Sequence, residues 1–164
     1  MNLKIKQIQE FKNKEYLFHG SSNGEITSLE ARDASDVDLE NTFNNDKAVF
    51  ATNNYASSVI FSLIDRNKMP ADIKYGTWEI QWDEDGSNCI AKIPISWKNY
   101  LARINGFLYV LPSESFRENN GAQFKSKENV IPNKVIEVNL EDYFSLGGKL
   151  EWISTGSNFG QQPA

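Results

Sequence analysis

An α+β domain is what the 164 residues predict, and three observations carry that expectation. Apolar residues recur with helical spacing at two places in the first half, a strict alternation near the middle marks a hairpin, and short apolar runs broken by polar turns fill the second half. The length matches one domain on the usual scale of ~100–200 residues. Residues 1–154 are therefore read as a single domain and 155–164 as a flexible C-terminal tail.

The elements follow in order. Leu3, Ile5, Ile8 and Phe11 stand among Lys and Gln with a spacing that favours an amphipathic helix over residues 3–14. Tyr16, Leu17 and Phe18 form a short strand that stops at His19, where Gly20, Ser21, Ser22, Asn23 and Gly24 break regular structure into a loop. From Glu25 to Lys47 the chain is acidic and poor in apolar residues, with Asp33, Asp36, Asp38, Glu40 and Asp46, and reads as mostly loop. Ala48 to Ala51 make a strand, Thr52 or Asn53 caps a helix, and Tyr55, Val59, Ile60, Leu63 and Ile64 keep helical spacing over 54–66. Trp78, Ile80 and Trp82 alternate with Glu79 and Gln81, Asp83 to Ser87 supply turn chemistry, and Cys89 to Ile93 return as the second strand of a hairpin. Phe107 to Leu111, Ala122 to Phe124 and Val130 to Val138 are further strands, parted by polar turns such as Arg117 to Gly121.

Composition narrows the function. With 40% hydrophobic and 12% aromatic residues the chain has the side chains that a folded core needs. A net charge of −5 argues against sequence-independent attraction to a phosphate backbone, so a protein or small molecule is favoured over nucleic acid as partner. The single cysteine, Cys89, excludes an intramolecular disulfide and a thiolate metal cluster, and one histidine with scattered carboxylates lacks metal-ligand spacing. No metal is expected. Lys4, Lys6, Gln7, Gln9 and Glu10 interrupt any leader-like apolar run, and no stretch approaches the ~20 apolar residues of a membrane helix. The expectation is a cytoplasmic protein without a membrane partner.

His19 is the only histidine, and it lies where a strand ends rather than on an apolar helical face. The glycine after it lets a ligand approach the backbone and leaves an N–H and a C=O to bind an amide. A lone histidine in a loop is, taken alone, more often a satisfied surface or capping residue than a ligand contact.

Leu17-Phe18-His19-Gly20-Ser21, followed by Val49-Phe50-Ala51-Thr52-Asn53-Asn54-Tyr55-Ala56 and a helix, resembles the ADP-ribosyltransferase superfamily in its diphtheria-toxin and poly(ADP-ribose)-polymerase branch. In that family an aromatic-His-Gly-Ser/Thr strand end precedes a strand and a helix bearing two Tyr eleven positions apart. Phe50 and Phe61 have that separation here, so the aromatic faces are retained and both hydroxyls are lost. The resemblance implies a split mixed β-sheet core with few helices, NAD as substrate, cleavage of the nicotinamide–ribose bond and transfer of ADP-ribose to an acceptor. It also implies roles: the His19 ring for a ribose hydroxyl, the Gly20 backbone for the carboxamide, Phe50 and Phe61 for a sandwich around nicotinamide, with Ser21 and Ser57 beside them. Oxidised nicotinamide is a flat cation, and stacking with cation–π attraction is worth ~0.5–2 kcal/mol per ring.

Scission of the glycosidic bond passes through an oxocarbenium-like ribose, so a carboxylate must reach the cleft. The family carries it at the start of a late strand, in patterns such as Glu-Tyr-Ile-Val, and Glu128-Asn129-Val130-Ile131 is similar. Glu128 is the candidate, with Glu118 and Glu137 as alternatives. Asn129 replaces the aromatic, Pro132 follows closely, and position 126 is Ser where arginine-modifying relatives carry Gln or Glu. Plainer readings stand beside these: Phe50 and Phe61 as core, Glu128 as a solvated turn, Arg32 as a surface charge, Trp78 and Trp82 as core on one strand face, and Tyr55, Ser57 and Ser58 as cleft lining or helix start. Two further functions compete with transfer. One is a catalytically inactive module of the same fold that binds a nucleotide or a protein. The other is an RNA 2′-phosphotransferase, disfavoured because it needs several arginines and the chain has only Arg32, Arg66, Arg103 and Arg117.

Overall fold

The structure, a computed structural model, describes residues 2–33, 43–64 and 78–154. Helix α1 (Leu3–Asn13) starts at Asn2, whose side chain accepts the Lys4 N–H at 2.8 Å, and it buries Ile5 and Ile8. Strand β1 (Leu17–Ser21) runs through His19, Gly20 and Ser21 instead of stopping at Phe18. The reason is tertiary: β6 (Gly106–Leu111) offers an antiparallel ladder along all of β1, from Leu17 opposite Leu111 to Ser21 opposite Phe107. A partner strand thus overrides the loop preference of Gly and Ser.

After β2 (Arg32–Asp33) and β3 (Lys47–Thr52), helix α2 (Tyr55–Leu63) carries the predicted apolar repeat. The cap is Asn54, one residue after Asn53 and two after Thr52, and its side chain accepts the Ser57 N–H at 2.8 Å. Val59, Ile60 and Leu63 are fully buried, which contributes about 1.5–3 kcal/mol for each. The hairpin follows as β4 (Glu79–Gln81) and β5 (Ile90–Pro94), with Glu79 opposite Lys92 and the Asp83 N–H closing the turn onto Ser87 O. A 3₁₀ turn (Ile95–Trp97) and α3 (Lys98–Leu101) lead into β6.

The rest of the chain comprises β7 (Glu118–Asn120), β8 (Gln123–Ser126), β9 (Lys134–Val138), α4 (Leu140–Ser145) and β10 (Lys149–Ile153). The segment read as a turn at 117–121 contains β7, a hairpin arm whose bend is Gly121 at φ +60°. All of β7 is exposed, so no apolar alternation announces it. The predicted strand 130–138 begins only at Lys134, because Pro132 lacks an N–H and limits its neighbour. Val130 instead bridges Leu29 through two backbone bonds of 2.8 Å.

Two sheets result. The larger is seven-stranded, with path β7-β8-β3-β1-β6-β9, antiparallel neighbours throughout, and β2 paired with the first residues of β3. The smaller has order β10-β5-β4, with β10 parallel to β5. The fold is α+β, with four α-helices among the described residues. Alternation along the large sheet sends Phe18, Leu108, Val110, Ile136 and Val138 to a core shared with α1, α2, α4 and β5. Leu17, Val49, Ala51, Tyr109 and Leu111 go to a second core closed by Leu29, Phe116 and Val130. Among the described residues no helix is long and apolar enough to cross a membrane. Asp36, Asp38, Glu40, Arg66 and the predicted tail 155–164 lie outside the described residues.

Candidate functional site

Strands β1 and β3 pair only at Phe18 opposite Thr52, and past that pair they part. The His19 ring spans the gap, with Nδ1 2.8 Å from the Phe50 carbonyl oxygen. A carbonyl only accepts, so Nδ1 carries the proton, and in the neutral ring Nε2 is left as an acceptor. Burial pushes the His19 pKa below its ordinary value, partly opposed by the bond to Phe50. The site therefore presents a neutral, oriented imidazole at neutral pH.

Around that gap lies a cleft of about 300 Å³. The strands contribute Phe18, His19, Gly20, Phe50, Ala51 and Thr52, helix α2 contributes Ser57, Ser58 and Phe61, and Trp82 and Gln123 complete the lining. His19, Gly20, Ser57, Phe50 and Phe61 thus share one crevice. Phe50 packs edge-on against Phe43 at 6.0 Å, while Phe61 meets Trp78 at 6.0 Å and Trp82 at 6.3 Å, both nearly perpendicular. Ser21 is not part of the lining; it ends β1, and its Oγ accepts the Asn23 N–H at 3.1 Å.

Gly20 has a second duty that the sequence does not reveal. A Cβ there would stand 2.0 Å from Ser58 O and 3.0 Å from Ser62 N, so the missing side chain is what lets α2 lie against β1. At Gly106 a Cβ would meet the Ser62 side chain, 2.1 Å from its Oγ, and the Ser62 carbonyl oxygen at 2.7 Å. Ser57 is similarly occupied, its Oγ donating to Asn54 O at 2.9 Å. Tyr55 faces the core beside Phe18 at 5.9 Å.

Glu128 lies elsewhere. It is exposed, beyond the far end of β8, and lines a separate groove with Ser115, Arg117, Glu118, Lys125 and Lys127. Glu118 pairs with Lys125 at 3.3 Å, and Glu137 on β9 accepts from Asn105 at 3.0 Å. None of the three candidate carboxylates lines the His19 cleft. Register decides this, because Gln123 stands opposite Thr52 at the cleft end of β8 while Ser126 stands opposite Val49. A strand advances about 3.3 Å per residue, which puts Ser126 roughly 10 Å along β8 from Gln123, with Glu128 in the turn beyond it.

No family model, curated protein or solved structure matches this chain. Its chemistry has to be read from its own residues.

Sequence reasoning reads Phe18, Ala51 and Thr52 only as strand or cap residues, and it missed Gln123 and Trp82 as lining as well. Gln123 begins a strand whose cleft-facing end only the β3 register reveals. Trp82 was read as core with Trp78, yet it turns to the cleft, and a signal was present in its place beside the hairpin turn rather than inside the strand. Among the described residues no Asp, Glu, Lys or Arg lines the cleft, and no group of His, Cys, Asp and Glu can hold a metal. The arrangement offers aromatic faces, one imidazole acceptor and one neutral amide. It suits a planar ring bearing hydroxyl or amide donors, and it lacks a fixed charge to stabilise a cation in a transition state.

Proposed function

We propose that the cleft binds the nicotinamide-riboside end of NAD, in a domain of ADP-ribosyltransferase type, and retains the dinucleotide intact. The reading rests on one observation: His19, Gly20, Phe50 and Phe61, which the family resemblance ties to nicotinamide and its ribose, line a single crevice. The neutral His19 acceptor suits a ribose hydroxyl, and the phenyl rings suit the pyridinium. Retention is favoured over cleavage because Gln123 is an amide and Glu128, Glu118 and Glu137 belong to other grooves or edges.

Cleavage with transfer of ADP-ribose to a protein or small-molecule acceptor is the second reading, supported by the same resemblance. An RNA phosphotransferase fits less well, since no arginine lines the cleft among the described residues. Calorimetric titration with NAD, run beside chromatographic measurement of released nicotinamide, separates the readings. We expect saturable binding, loss of at least ~10-fold in affinity in His19→Ala, unchanged affinity in Glu128→Gln, and no nicotinamide release. Release that disappears in Glu128→Gln overturns retention in favour of transfer. Absence of any binding overturns both.

A further inference from the structure

We infer that the cleft selects aromatic cations over neutral and anionic rings of the same shape, and that Trp82 is the residue that sets this selectivity. For the dinucleotide the inference rests on the function proposed above, where it means a preference for the oxidised over the reduced form.

The argument begins with what the cleft lacks. Among the described residues its lining carries no ionised side chain, so ligand charge is not read by a salt bridge. An anionic ring, such as a pyridine carboxylate, would give up its hydration with no cation to receive it. A cationic ring meets a different surface, because aromatic faces are electron-rich and attract positive charge without a counter-ion. Indole is the strongest of these faces, and among the described residues Trp82 supplies the one indole in the lining.

Trp82 is also held in place. Its ring stands at 80° to Phe61, centroids 6.3 Å apart, and Phe61 is braced from another side by Trp78 at 74°. A perpendicular corner of this kind fixes two ring planes before a ligand arrives, so little ordering is needed on binding. The turn that follows Trp82 carries Asp83, Glu84 and Asp85 against the cation Lys12, which donates to Gly86 O at 3.3 Å, and the remaining negative balance favours an approaching cation over an anion. His19 opposes neither, since Nδ1 is engaged by Phe50 O and the ring is neutral.

The test uses two small probes of nearly equal shape, 1-methylnicotinamide as the cation and nicotinamide as the neutral ring, titrated calorimetrically into the full chain. Expected is tighter binding of the cation by about tenfold, the scale of one good cation–ring contact, with nicotinate weaker than either. Trp82→Leu should bring the cation-to-neutral ratio to within about twofold of unity, and Trp82→Phe should leave an intermediate ratio. The second variant keeps an aromatic ring at the corner, so a folding defect in the first does not decide the matter. Equal binding of the two probes, or no binding of either, overturns the selection, and a ratio unchanged in both variants overturns the role of Trp82. Titration with oxidised and reduced dinucleotide separates this inference from its basis. Equal affinity for both forms leaves the proposed site standing and defeats the selection. Discrimination between the small probes with no affinity for either dinucleotide does the reverse.

Discussion

At Gly20 a single hydrogen in place of a methyl group decides whether a helix can dock. The helix backbone at Ser58 and Ser62 occupies the space a Cβ would need, and backbone cannot rotate aside as a side-chain end can. Gly20→Ala should therefore destabilise the fold by about 1–3 kcal/mol or more, read as a fall in the urea midpoint with or without ligand. A midpoint within error of wild type would mean that the helix moves freely off β1. His19 carries a second residue-scale prediction. Burial holds its pKa below the ordinary 6.5, so as pH falls the unfolded chain takes up the proton first. Its contribution to stability is fully present above about 6.5 and is lost as pH falls below that value towards the folded pKa. Wild type should thus lose more stability between about pH 7.5 and 5.5 than His19→Gln does, compared by urea unfolding. Identical losses would show that the imidazole titrates alike in both states.

Between elements, Asn54 is a joint with three side-chain partners. It is buried, caps α2 through the Ser57 N–H, and its Nδ2 donates to Gly86 O at 3.1 Å and Asn88 O at 2.7 Å in the hairpin turn. The same side chain thus starts the helix that bears Phe61 and anchors the hairpin next to Trp82. Asn54→Ala should cost about 2 kcal/mol or more, because a cap is lost and one buried and one part-buried carbonyl are left without their donor. Asn54→Asp keeps the cap acceptor but not the donors, and should recover only part of that loss. Full recovery in the Asp variant, measured by chemical denaturation, would show that the hairpin anchors contribute nothing. At this scale the helical repeat was legible as far as Leu63, since it buries a face with its own period, and the alternation at 78–82 was legible as a strand whose Trp78 and Ile80 pack on the core while Trp82 lines the cleft. Strand β7 was not, because its three residues are polar and exposed and leave no apolar alternation to read. The reach of β1 to Ser21 was hidden as well, its ladder partner lying far along the chain in β6.

Across the whole molecule the main core joins helices α1, α2 and α4, the large sheet and β5, and Cys89 lies inside it. Burial pushes the Cys89 thiol up to about 11, against a smaller opposing pull from its bond to Tyr143. The Tyr143 hydroxyl donates its proton to Lys149 O at 2.6 Å, tying α4 to β10. Thiolate is the reactive form, so labelling of native protein by a disulfide reagent at pH 8 should be slow. Its rate should rise with urea in parallel with global unfolding, since no smaller opening exposes a residue enclosed by so many elements. Rapid labelling without denaturant would show that the core opens locally around β5.

By itself the sequence determined the periodic elements, the α+β class and the presence of an imidazole next to a glycine with two phenyl rings at a set spacing. Those properties are local, written in repeats of two and 3.6 residues and in the identity of neighbours. Tertiary structure alone decided which end of β8 meets the cleft, and with it that Gln123 lines the site while Glu128 does not. It decided as well that Trp82 turns to the cleft and that Gly20 serves the helix as much as any ligand. Strand register and helix docking are relations between segments distant in the chain, and no pattern within one segment encodes them.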